Sequence, residues 1–544
     1  MSEIQQPKNE AGLCKPLARF LFATLLFAGL YCQAPLYYSN QNQYFLHGLA
    51  QAKVGFLGND WLANTLDPAP LFSGLVQFTA QLLHEWAFHL YYLGLMGVYL
   101  LGSFLVFRYF QRTAPGHLIL FYFALLAIFH SAALRWASYR LVEFDYPWFF
   151  QAGVAGQYLL GAMFQPSSFG VFLLLGTALF LRDRVYLGMG FVCLAGILHA
   201  TYLLPGALLI LGFQYALCKE GQCKRAIQLG ISALVLVSPS VAYSLLHFKP
   251  GMGEETQAAQ DILVNFRIPH HCLPGLWLDW VACLQIGWVV FSLFLTSGTR
   301  VGRLLCAAFS LAVLLTILQM LTGSHTLALL FPWRISAVLV PLATMIVFSK
   351  AILACRDSLE GVNKTQLARL VIVLLAFAGG SLQIKKMGFQ TNEGEQVTQR
   401  SVSHNKAKGD LYLIPFSVPD LKRTTRGSLS SDFKPLAAKK VDARIVPVDF
   451  QGFRLSTGAP IFVDFKSIPY ASADVLEWRA RIKKNLDWQT MIAEGNFEGI
   501  LGELRAAGIT HCVVPATSDI LSSEAELTHQ SALYKIYRLK KSAE

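Results

Sequence analysis

Long stretches without any charged residue alternate with short basic segments over roughly the first 385 residues. A helix that crosses a bilayer needs about 20 consecutive apolar residues. Runs free of Asp, Glu, Lys and Arg cover 20–51, 86–107, 113–134, 147–181, 185–218, 226–247, 280–299 and 304–333, with shorter runs at 335–349 and 370–384. The pattern predicts about eleven membrane crossings. Run 185–218 predicts two short helices broken around 199–205, and run 147–181 predicts an interfacial segment that leads into a helix near Pro166.

The basic residues indicate an orientation. Lys and Arg of short loops are retained on the cytoplasmic side of a membrane. Most of the basic residues between the apolar runs fall at alternate ends, beginning with Lys8, Lys15 and Arg19 before the first run. This distribution predicts a cytoplasmic N-terminus, and an odd number of crossings then places the C-terminal end outside. We therefore expect a multi-pass membrane protein.

Composition supports the membrane interpretation and limits the partners. The chain has 544 residues, of which 54% are hydrophobic and 14% charged, whereas a soluble globular domain carries about 25% charged residues. An ordinary soluble enzyme is thereby excluded. The net charge of +12 is divided between the loops and the C-terminal part, which indicates membrane topology and attraction to anionic lipid, not nucleic-acid binding.

The last part of the chain differs in composition because charged residues become frequent after about residue 385. Residues 386–409 are polar and predict a linker, and residues 410–544 predict an external (periplasmic) α/β domain. Within it, strands are expected at 411–418, 459–465 and 509–515, and helices at 473–484 and 497–507. The first 385 residues form the predicted transmembrane domain, which includes a large first external loop at 37–85.

The polar residues that could carry chemistry fall mainly on the predicted external side. The first loop contains Asp60 and Asp67. Later external segments contribute Arg135, Gln165, His199, Arg267, His270, His271 and Arg334. Ionisable groups at a membrane surface are costly, and a cluster of them usually marks a substrate or ion path.

Each of these residues also has a structural interpretation. Asp60 and Asp67 could cap helices, since proline follows Asp67. Arg135 could pair with an acidic neighbour, and Arg334 could anchor a helix end. The two adjacent histidines could belong to a plain loop, and His199 could be an interior histidine with satisfied hydrogen bonds.

The cytoplasmic N-terminus, the large acidic first loop, the helices of uneven length and the external α/β domain together resemble the GT-C class of integral-membrane glycosyltransferases. Asp60 and Asp67 stand where that class keeps its acidic residues, although here they are separated. The segments 165–168, 267–271 and 332–334 are also similar to those of uncharacterised bacterial proteins associated with the class. The resemblance implies a protein of the bacterial inner (plasma) membrane that transfers a sugar from a polyprenyl-phosphate carrier to a glycan, lipid or protein acceptor.

Sugar transfer from a lipid phosphate needs a base for the acceptor hydroxyl and positive charge for the departing phosphate. We hypothesise Asp60, with Asp67 as the second candidate, as the base, with inversion at the anomeric carbon. Arg267 and Arg334 offer forked donors to phosphate oxygens. Asp60, His270 and His271 could hold a divalent metal ion. The alternatives are a transporter, a lipid flippase, or a catalytically inactive relative of these enzymes.

Overall fold

The computed structural model describes residues 11–31, 33–248, 253–384, 393–418, 421, 450 and 452–541, and its long helices are apolar. Six are long and apolar enough to cross a membrane, or seven if one bent pair counts as a single span. The six lie at Ala87–Phe110, Ala200–Lys219, Cys223–Phe248, Arg300–Thr322, His325–Ala354 and Val362–Leu382, and the bent pair is Gly116–His130 with Ala132–Val142. The described part of the chain is therefore mostly helical, with six or seven candidate membrane spans.

Four shorter apolar helices complete the set of candidate spans. They lie at Pro16–Leu30, Pro166–Leu181, Val185–Leu198 and Trp280–Leu295. At a rise of about 1.5 Å per residue, a helix of this length falls short of a hydrocarbon core about 30 Å thick. The predicted count of about eleven crossings therefore stays a prediction, because it requires the bent pair and all four shorter helices to cross.

The two predicted irregularities of the apolar runs are present. One helix ends at Leu198, His199 has extended backbone, and a 3-10 turn at Ala200–Tyr202 opens the next helix, Leu203–Lys219. Upstream, only short helical turns occupy the stretch before the 3-10 helix Pro166–Gly170, which continues into the helix Val171–Leu181. His199 is thereby placed at a helix break and not inside a span.

Small residues allow the closest helix packing. The helices Val171–Leu181 and Val185–Leu198 cross at Gly176 and Gly188, where a Cβ on either glycine would come within 2.6 Å of the other's carbonyl oxygen. A side chain at either position would force the backbones apart. Next to this crossing, Phe180 stacks on Phe213 with ring centroids 4.0 Å apart.

Loop 37–85 is built from short helices that pack on the rest of the protein. These are Gln41–Tyr44, Leu46–Gln51 and Pro70–Leu82, with 3-10 turns at Leu57–Asn59 and Leu62–Asn64. The backbone N–H of Phe56 donates to the carbonyl of Gly458 at 2.8 Å. A Cβ on Gly55 would lie 2.4 Å from that same oxygen. Loop 37–85 is therefore in direct backbone contact with the C-terminal part of the chain.

Between the spans, short helices connect the segments that carry the predicted site residues. They lie at Tyr146–Phe149, Glu254–Asp261, Pro269–Cys272 and Pro274–Trp277, with a π-helix at Ile262–Arg267 and 3-10 turns at Val154–Gly156 and Pro332–Ile335. The remaining 3-10 turn is Arg356–Leu359.

The C-terminal region, defined here as the described residues from 393 to 541, combines a small sheet with helices. The strands are β1 Tyr412–Leu413, β2 His511–Pro515, β3 Ala525–Gln530 and β4 Tyr534–Leu539, in the order β1-β2-β4-β3. β1 pairs with β2 in parallel, and the other pairs are antiparallel. The helices are Glu393–Asn405, Phe453–Thr457, Ser472–Ala493 and Glu498–Ala506.

Several predictions for this region need correction. The stretch 459–465 contributes only an isolated bridge between Ile461 and Tyr412 instead of a full strand. Much of the predicted linker 386–409 is the helix Glu393–Asn405, whose Val402 is buried in the same small core as Phe453 and Ile536. Burial of one apolar face holds this polar helix in place. The predicted strand 509–515 and the two helices are present.

Candidate functional site

Asp60 is enclosed between loop 37–85 and the C-terminal region. Its side chain has no solvent exposure. Oδ1 accepts the N–H of Leu62 at 3.0 Å, and Oδ2 accepts the N–H of Ile461 at 3.0 Å. Oδ2 also lies 2.8 Å from Nε of Arg454, whose Nη1 is 3.2 Å from Oδ2 of Asp464. A buried cation therefore joins two buried carboxylates.

These contacts favour a structural role for Asp60. Burial raises the pKa of Asp60, although Arg454 and the two backbone donors favour the anion. Both carboxylate oxygens are already engaged, so neither is available for an acceptor hydroxyl. The prediction that Asp60 is the base stays untested, and the geometry favours Asp67.

Asp67 lies at the start of a helix without being its cap. Its Oδ1 accepts the N–H of Ala69 at 2.9 Å, and Ala69 is the residue that precedes the helix beginning at Pro70. Tyr243 donates its hydroxyl to the Asp67 carbonyl at 2.7 Å. Oδ2 is shielded from solvent and has no hydrogen-bond donor among the described residues. One carboxylate oxygen is thus buried without a hydrogen-bond partner in the described structure.

A cleft opens beside Asp67. The cleft is narrow and has room for about one water molecule. Loop 37–85 forms one wall with residues such as Gln43, Tyr44 and Asp67, and the C-terminal region forms the other with Ile468, Pro469 and Tyr470. The cleft therefore exists only because the C-terminal region packs on this loop.

Tyr44 and Tyr470 connect this cleft to the predicted arginines. Gln43 donates from Nε2 to the Tyr470 hydroxyl at 2.7 Å, and the hydroxyl groups of Tyr44 and Tyr470 are 3.4 Å apart. Arg267 lies within electrostatic range of both tyrosines, and Arg334 lies within range of Tyr44. Both arginines are therefore near the Tyr44 hydroxyl, and Arg267 is also near that of Tyr470.

Arg267 is a buried cation that has no carboxylate within ion-pair distance among the described residues, although Asp464 lies within electrostatic range. Only 9% of its surface is exposed. Nη2 donates to the Lys466 carbonyl at 2.6 Å, and the guanidinium lies 5.0 Å from the Phe465 ring. Nε is buried with no acceptor among the described residues, and burial lowers the pKa of Arg267. The residue ends a π-helical turn, a geometry found frequently at functional sites.

Arg334 is only partly buried, but its contacts resemble those of Arg267. Nη1 donates to Oε1 of Gln157 at 2.8 Å, and the guanidinium lies 5.0 Å from the Tyr202 ring. Its Nε is also shielded without an acceptor, and no carboxylate of the described residues is within ion-pair distance. A guanidinium that lacks an anion in this setting is suited to binding one.

His271 and His199 adjoin Arg334 on different sides. Nδ1 of His271 lies 2.5 Å from the Ala155 carbonyl and 3.2 Å from Nε2 of Gln157, the residue that binds Arg334. The rings of His270 and His271 have centroids 4.0 Å apart. His199 meets Tyr44 edge-on at 5.6 Å. Segments far apart in the chain thus converge on Arg334.

Gln165 and Arg135 lie in the layer behind this cluster. Gln165 donates from Nε2 to Ser167 at 2.6 Å and to the Tyr158 hydroxyl at 3.1 Å. Arg135 forms a buried ion pair with Asp145, as the structural interpretation expected: Nε and Nη2 both donate to Oδ2 of Asp145, at 2.9 and 2.7 Å. Its charge is already neutralised, so a direct role in substrate binding is not favoured.

The predicted metal site receives no geometric support. Among the residues that the structure describes, no three His, Cys, Asp or Glu side chains are grouped to hold a metal ion. Asp60 is paired with Arg454, while Nδ1 of His271 contacts a backbone carbonyl. We therefore derive no chemical step through a metal.

Tyr44, Gln157 and Tyr470 belong to the site but were not among the predicted site residues. Tyrosine and glutamine are common in apolar helices and loops, so their identity alone carries little information. Tyr470 follows Pro469 in a segment predicted to be close to a strand end, and nothing in the sequence relates it to Gln43. The sequence does not show that the C-terminal region packs against loop 37–85, and this contact brings Tyr470 to Gln43 and Tyr44.

Comparison with known proteins adds a single match. Residues 437–484 match DUF6798, a domain of unknown function. No curated protein matches the chain. The described part of the matched segment contains Arg454, Asp464 and Tyr470, so it supplies both the ion-pair network and one wall of the cleft.

Proposed function

We propose that this protein is a GT-C-like membrane glycosyltransferase that moves a sugar from a polyprenyl-phosphate carrier to an acceptor outside the cytoplasm. The observation that carries the proposal is the placement of Arg267 and Arg334, two guanidinium groups with no carboxylate within ion-pair distance among the described residues, beside a cleft that contains an unsatisfied oxygen of Asp67. A departing phosphate needs the positive charge of the arginines. An acceptor hydroxyl needs a base, which the carboxylate of Asp67 can supply.

The proposed reaction assigns one role to each group. Oδ2 of Asp67 takes the proton of the acceptor hydroxyl, whose oxygen forms a bond to the anomeric carbon of the donor sugar. The bond from that carbon to the phosphate oxygen breaks, and its electron pair leaves with the polyprenyl phosphate. Arg267 and Arg334 stabilise the negative charge of the leaving phosphate. Attack opposite to the leaving group inverts the anomeric centre.

Gln157 and His271 would position Arg334 in this scheme. Gln157 accepts from Arg334 through Oε1 and faces His271 through Nε2. Its side chain is therefore held at both ends, which fixes the direction of the guanidinium. His199, Gln165 and Tyr44 pack around the same cluster, and a rigid surround of this kind keeps the donors preorganised.

Binding of decaprenyl phosphate tests the role of the two arginines. Arg267→Gln and Arg334→Gln should each weaken binding by about 10- to 100-fold, because each removes a charge-assisted hydrogen bond. Arg267→Lys should recover only part of the affinity, since lysine keeps the charge and loses the fork. Tritiated decaprenyl phosphate and purified protein in nanodiscs provide the measurement.

Arg505→Gln is the matched control, because Arg505 is a half-exposed cation paired with Glu524 at 2.7 Å in the C-terminal region. Its affinity for decaprenyl phosphate should equal that of the wild type. Equal binding by the wild type, Arg267→Gln and Arg334→Gln would remove the phosphate site. Uptake of a solute by proteoliposomes without any sugar transfer would favour the transporter alternative.

The proposed orientation places the N-terminus in the cytoplasm and the C-terminal region in the periplasm. Cys218 is exposed at the junction of two helices, on the predicted cytoplasmic side, and Glu526 is exposed on β3. In variants that retain or introduce one cysteine, Glu526→Cys should react with a membrane-impermeant maleimide in intact spheroplasts, whereas Cys218 should react only after lysis. The reverse labelling pattern would invert the topology.

A further inference from the structure

Basic side chains gather where the helix Ala87–Phe110 ends. Arg108, in the last turn of this helix, donates from Nη1 to the Arg112 carbonyl at 2.8 Å. Arg182, which follows the helix Val171–Leu181, donates from Nη1 to the Arg108 carbonyl at 3.0 Å. A guanidinium has five N–H donors, so each of these two groups binds the backbone with one donor and keeps others for a further acceptor.

Lys350 brings a cation from a third helix to the same place. It belongs to the helix Ser336–Ala354, and its ammonium group lies 5.1 Å from the centre of the Phe110 ring. Arg112 is exposed beside this ring, in the connection that follows the helix end. We call this group the basic cluster; its members are Arg108, Arg112, Arg182 and Lys350.

No carboxylate of the described residues lies within ion-pair distance of the basic cluster. The acid nearest to it in sequence, Asp183, pairs with Arg300 instead. Cations held close together repel one another, and the repulsion is relieved when an anion lies between them. The uncompensated charge therefore favours an anionic ligand.

The helix dipole accounts for only part of this charge. A cation in the last turn of a helix is stabilised by the partial negative charge of that end, and Arg108 holds such a position. Lys350 precedes the last turn of its helix, and Arg112 lies beyond the end of its own. Two of the four cations thus have no such explanation.

The position of the basic cluster in the fold indicates where the anion comes from. The helices Ala87–Phe110 and His325–Ala354 are both candidate membrane spans, and the end of a span lies near the phosphates of the lipid headgroups. Tyr109 and Phe110 are half-buried at this end, with ring centroids 5.1 Å apart. Aromatic rings at the ends of a span are typical of the membrane interface. A lipid phosphate is therefore the anion nearest at hand.

We propose that the basic cluster binds the headgroup of an anionic phospholipid with two phosphodiester groups, as in cardiolipin, and that this lipid joins the ends of three helices. Two phosphodiesters supply anionic oxygens to cations that belong to separate helix ends, and forked guanidinium donors suit such oxygens. Basic pockets between membrane helices bind headgroups of this kind. The inference uses neither Arg267 nor Arg334 and is independent of the proposed function.

Binding of fluorescent cardiolipin to the purified full-length protein in dodecyl maltoside tests this site. Cardiolipin should bind more tightly than phosphatidylglycerol, and phosphatidylcholine should bind at least about tenfold more weakly than cardiolipin. Arg112→Gln and Lys350→Gln should each weaken cardiolipin binding about fivefold, the effect of one basic residue at an anionic lipid surface. Neither side chain forms a hydrogen bond with another described residue, so both variants should fold, which size-exclusion chromatography checks.

Lys224→Gln is the matched control. Lys224 is an exposed cation near the start of another helix, Cys223–Phe248, and its loss changes the net charge of the protein by the same amount. Its affinity for cardiolipin should equal that of the wild type.

Thermal unfolding tests whether the lipid joins the helices. A ligand that binds only the folded state raises the melting temperature. Cardiolipin should therefore stabilise the wild type and Lys224→Gln, whereas the double variant Arg112→Gln/Lys350→Gln should gain markedly less. Without cardiolipin, the double variant should melt at about the temperature of the wild type.

Several results would overturn the inference. Equal affinity for cardiolipin and phosphatidylcholine, or wild-type affinity in both Arg112→Gln and Lys350→Gln, would remove the lipid site. A loss in Lys224→Gln as large as that in Arg112→Gln would reduce it to general surface charge. Equal binding of phosphatidylglycerol would contradict the requirement for two phosphodiesters, and displacement of cardiolipin by an equal concentration of inorganic phosphate would assign the basic cluster to free phosphate.

Discussion

Replacing Asp67 by Asn should lower the rate of sugar transfer by about 10²- to 10⁴-fold, the usual contribution of a positioned general base. Asparagine preserves the shape of the side chain and can keep the turn that Oδ1 makes with Ala69. It cannot accept the acceptor proton. Because the phosphate-binding arginines are unaltered, decaprenyl phosphate should bind as in the wild type. Transfer from a radiolabelled polyprenyl-phosphate sugar provides the measurement.

The control for Asp67→Asn is Asp519→Asn, since Asp519 lies on the surface of the C-terminal region, where it pairs with Lys535. Its transfer rate should equal that of the wild type. If Asp67→Asn retained the full rate while folded Asp60→Asn lost it, the base would be Asp60, and the structural interpretation of the Asp60 carboxylate would be wrong.

Replacing Arg454 by Met should lower the free energy of unfolding of the C-terminal region by about 3 to 5 kcal/mol, the cost of removing one partner from a buried ion pair. Arg454 is 2% exposed and is the only cation recorded within ion-pair distance of the buried carboxylates of Asp60 and Asp464 in the described structure. Methionine fills similar volume but leaves these carboxylates without a counter-charge. Chemical unfolding followed by hydrogen exchange of residues 452–470 provides the measurement.

The pH dependence of Arg454→Met distinguishes charge from packing. Burial already raises the pKa of Asp60, and Arg454 is the main group that opposes this shift. Without Arg454 the pKa of folded Asp60 should rise further above its unfolded value. The folded state then binds a proton that the unfolded state lacks, so stability is lost as pH rises through the folded pKa and is partly recovered on acidification. A loss of stability that is independent of pH would indicate a packing defect instead.

Two further variants complete this test. Arg505→Met removes a surface ion pair with Glu524 and should change stability by less than about 1 kcal/mol. A triple variant in which Asp60, Arg454 and Asp464 all become apolar should recover most of the stability lost in Arg454→Met, because no uncompensated charge remains. Persistent instability of that triple variant would contradict the electrostatic explanation.

The sequence predicted that several candidate site residues lie on one side of the membrane, and this stays a prediction. Arg267, His271 and Arg334 come from different segments between apolar runs, and the structure joins two of them through Gln157. Alternation of apolar and basic segments determines which loops lie together, and that alternation is visible along the chain. The helix break at His199 followed from the same pattern.

The roles of the two aspartates could not be separated in this way. Proline after Asp67 suggested a cap, and its absence after Asp60 suggested a base, but both arguments used only neighbouring residues. Arg454 forms the ion pair with the Asp60 carboxylate. Tyr470 forms part of the opposite wall of the cleft that Asp67 lines. Both partners are distant in sequence, and no local pattern encodes them.

By itself, the sequence predicted apolar helices of the kind that cross a membrane and a C-terminal part rich in charged residues, because burial in lipid requires long apolar runs. Only the tertiary structure showed that the C-terminal region packs against loop 37–85. This contact pairs the Asp60 carboxylate with Arg454 and places Asp67 beside a cleft. The physical reason is that ion pairs and hydrogen bonds depend on distances of about 3 Å between atoms, and such distances arise only after distant segments have packed together.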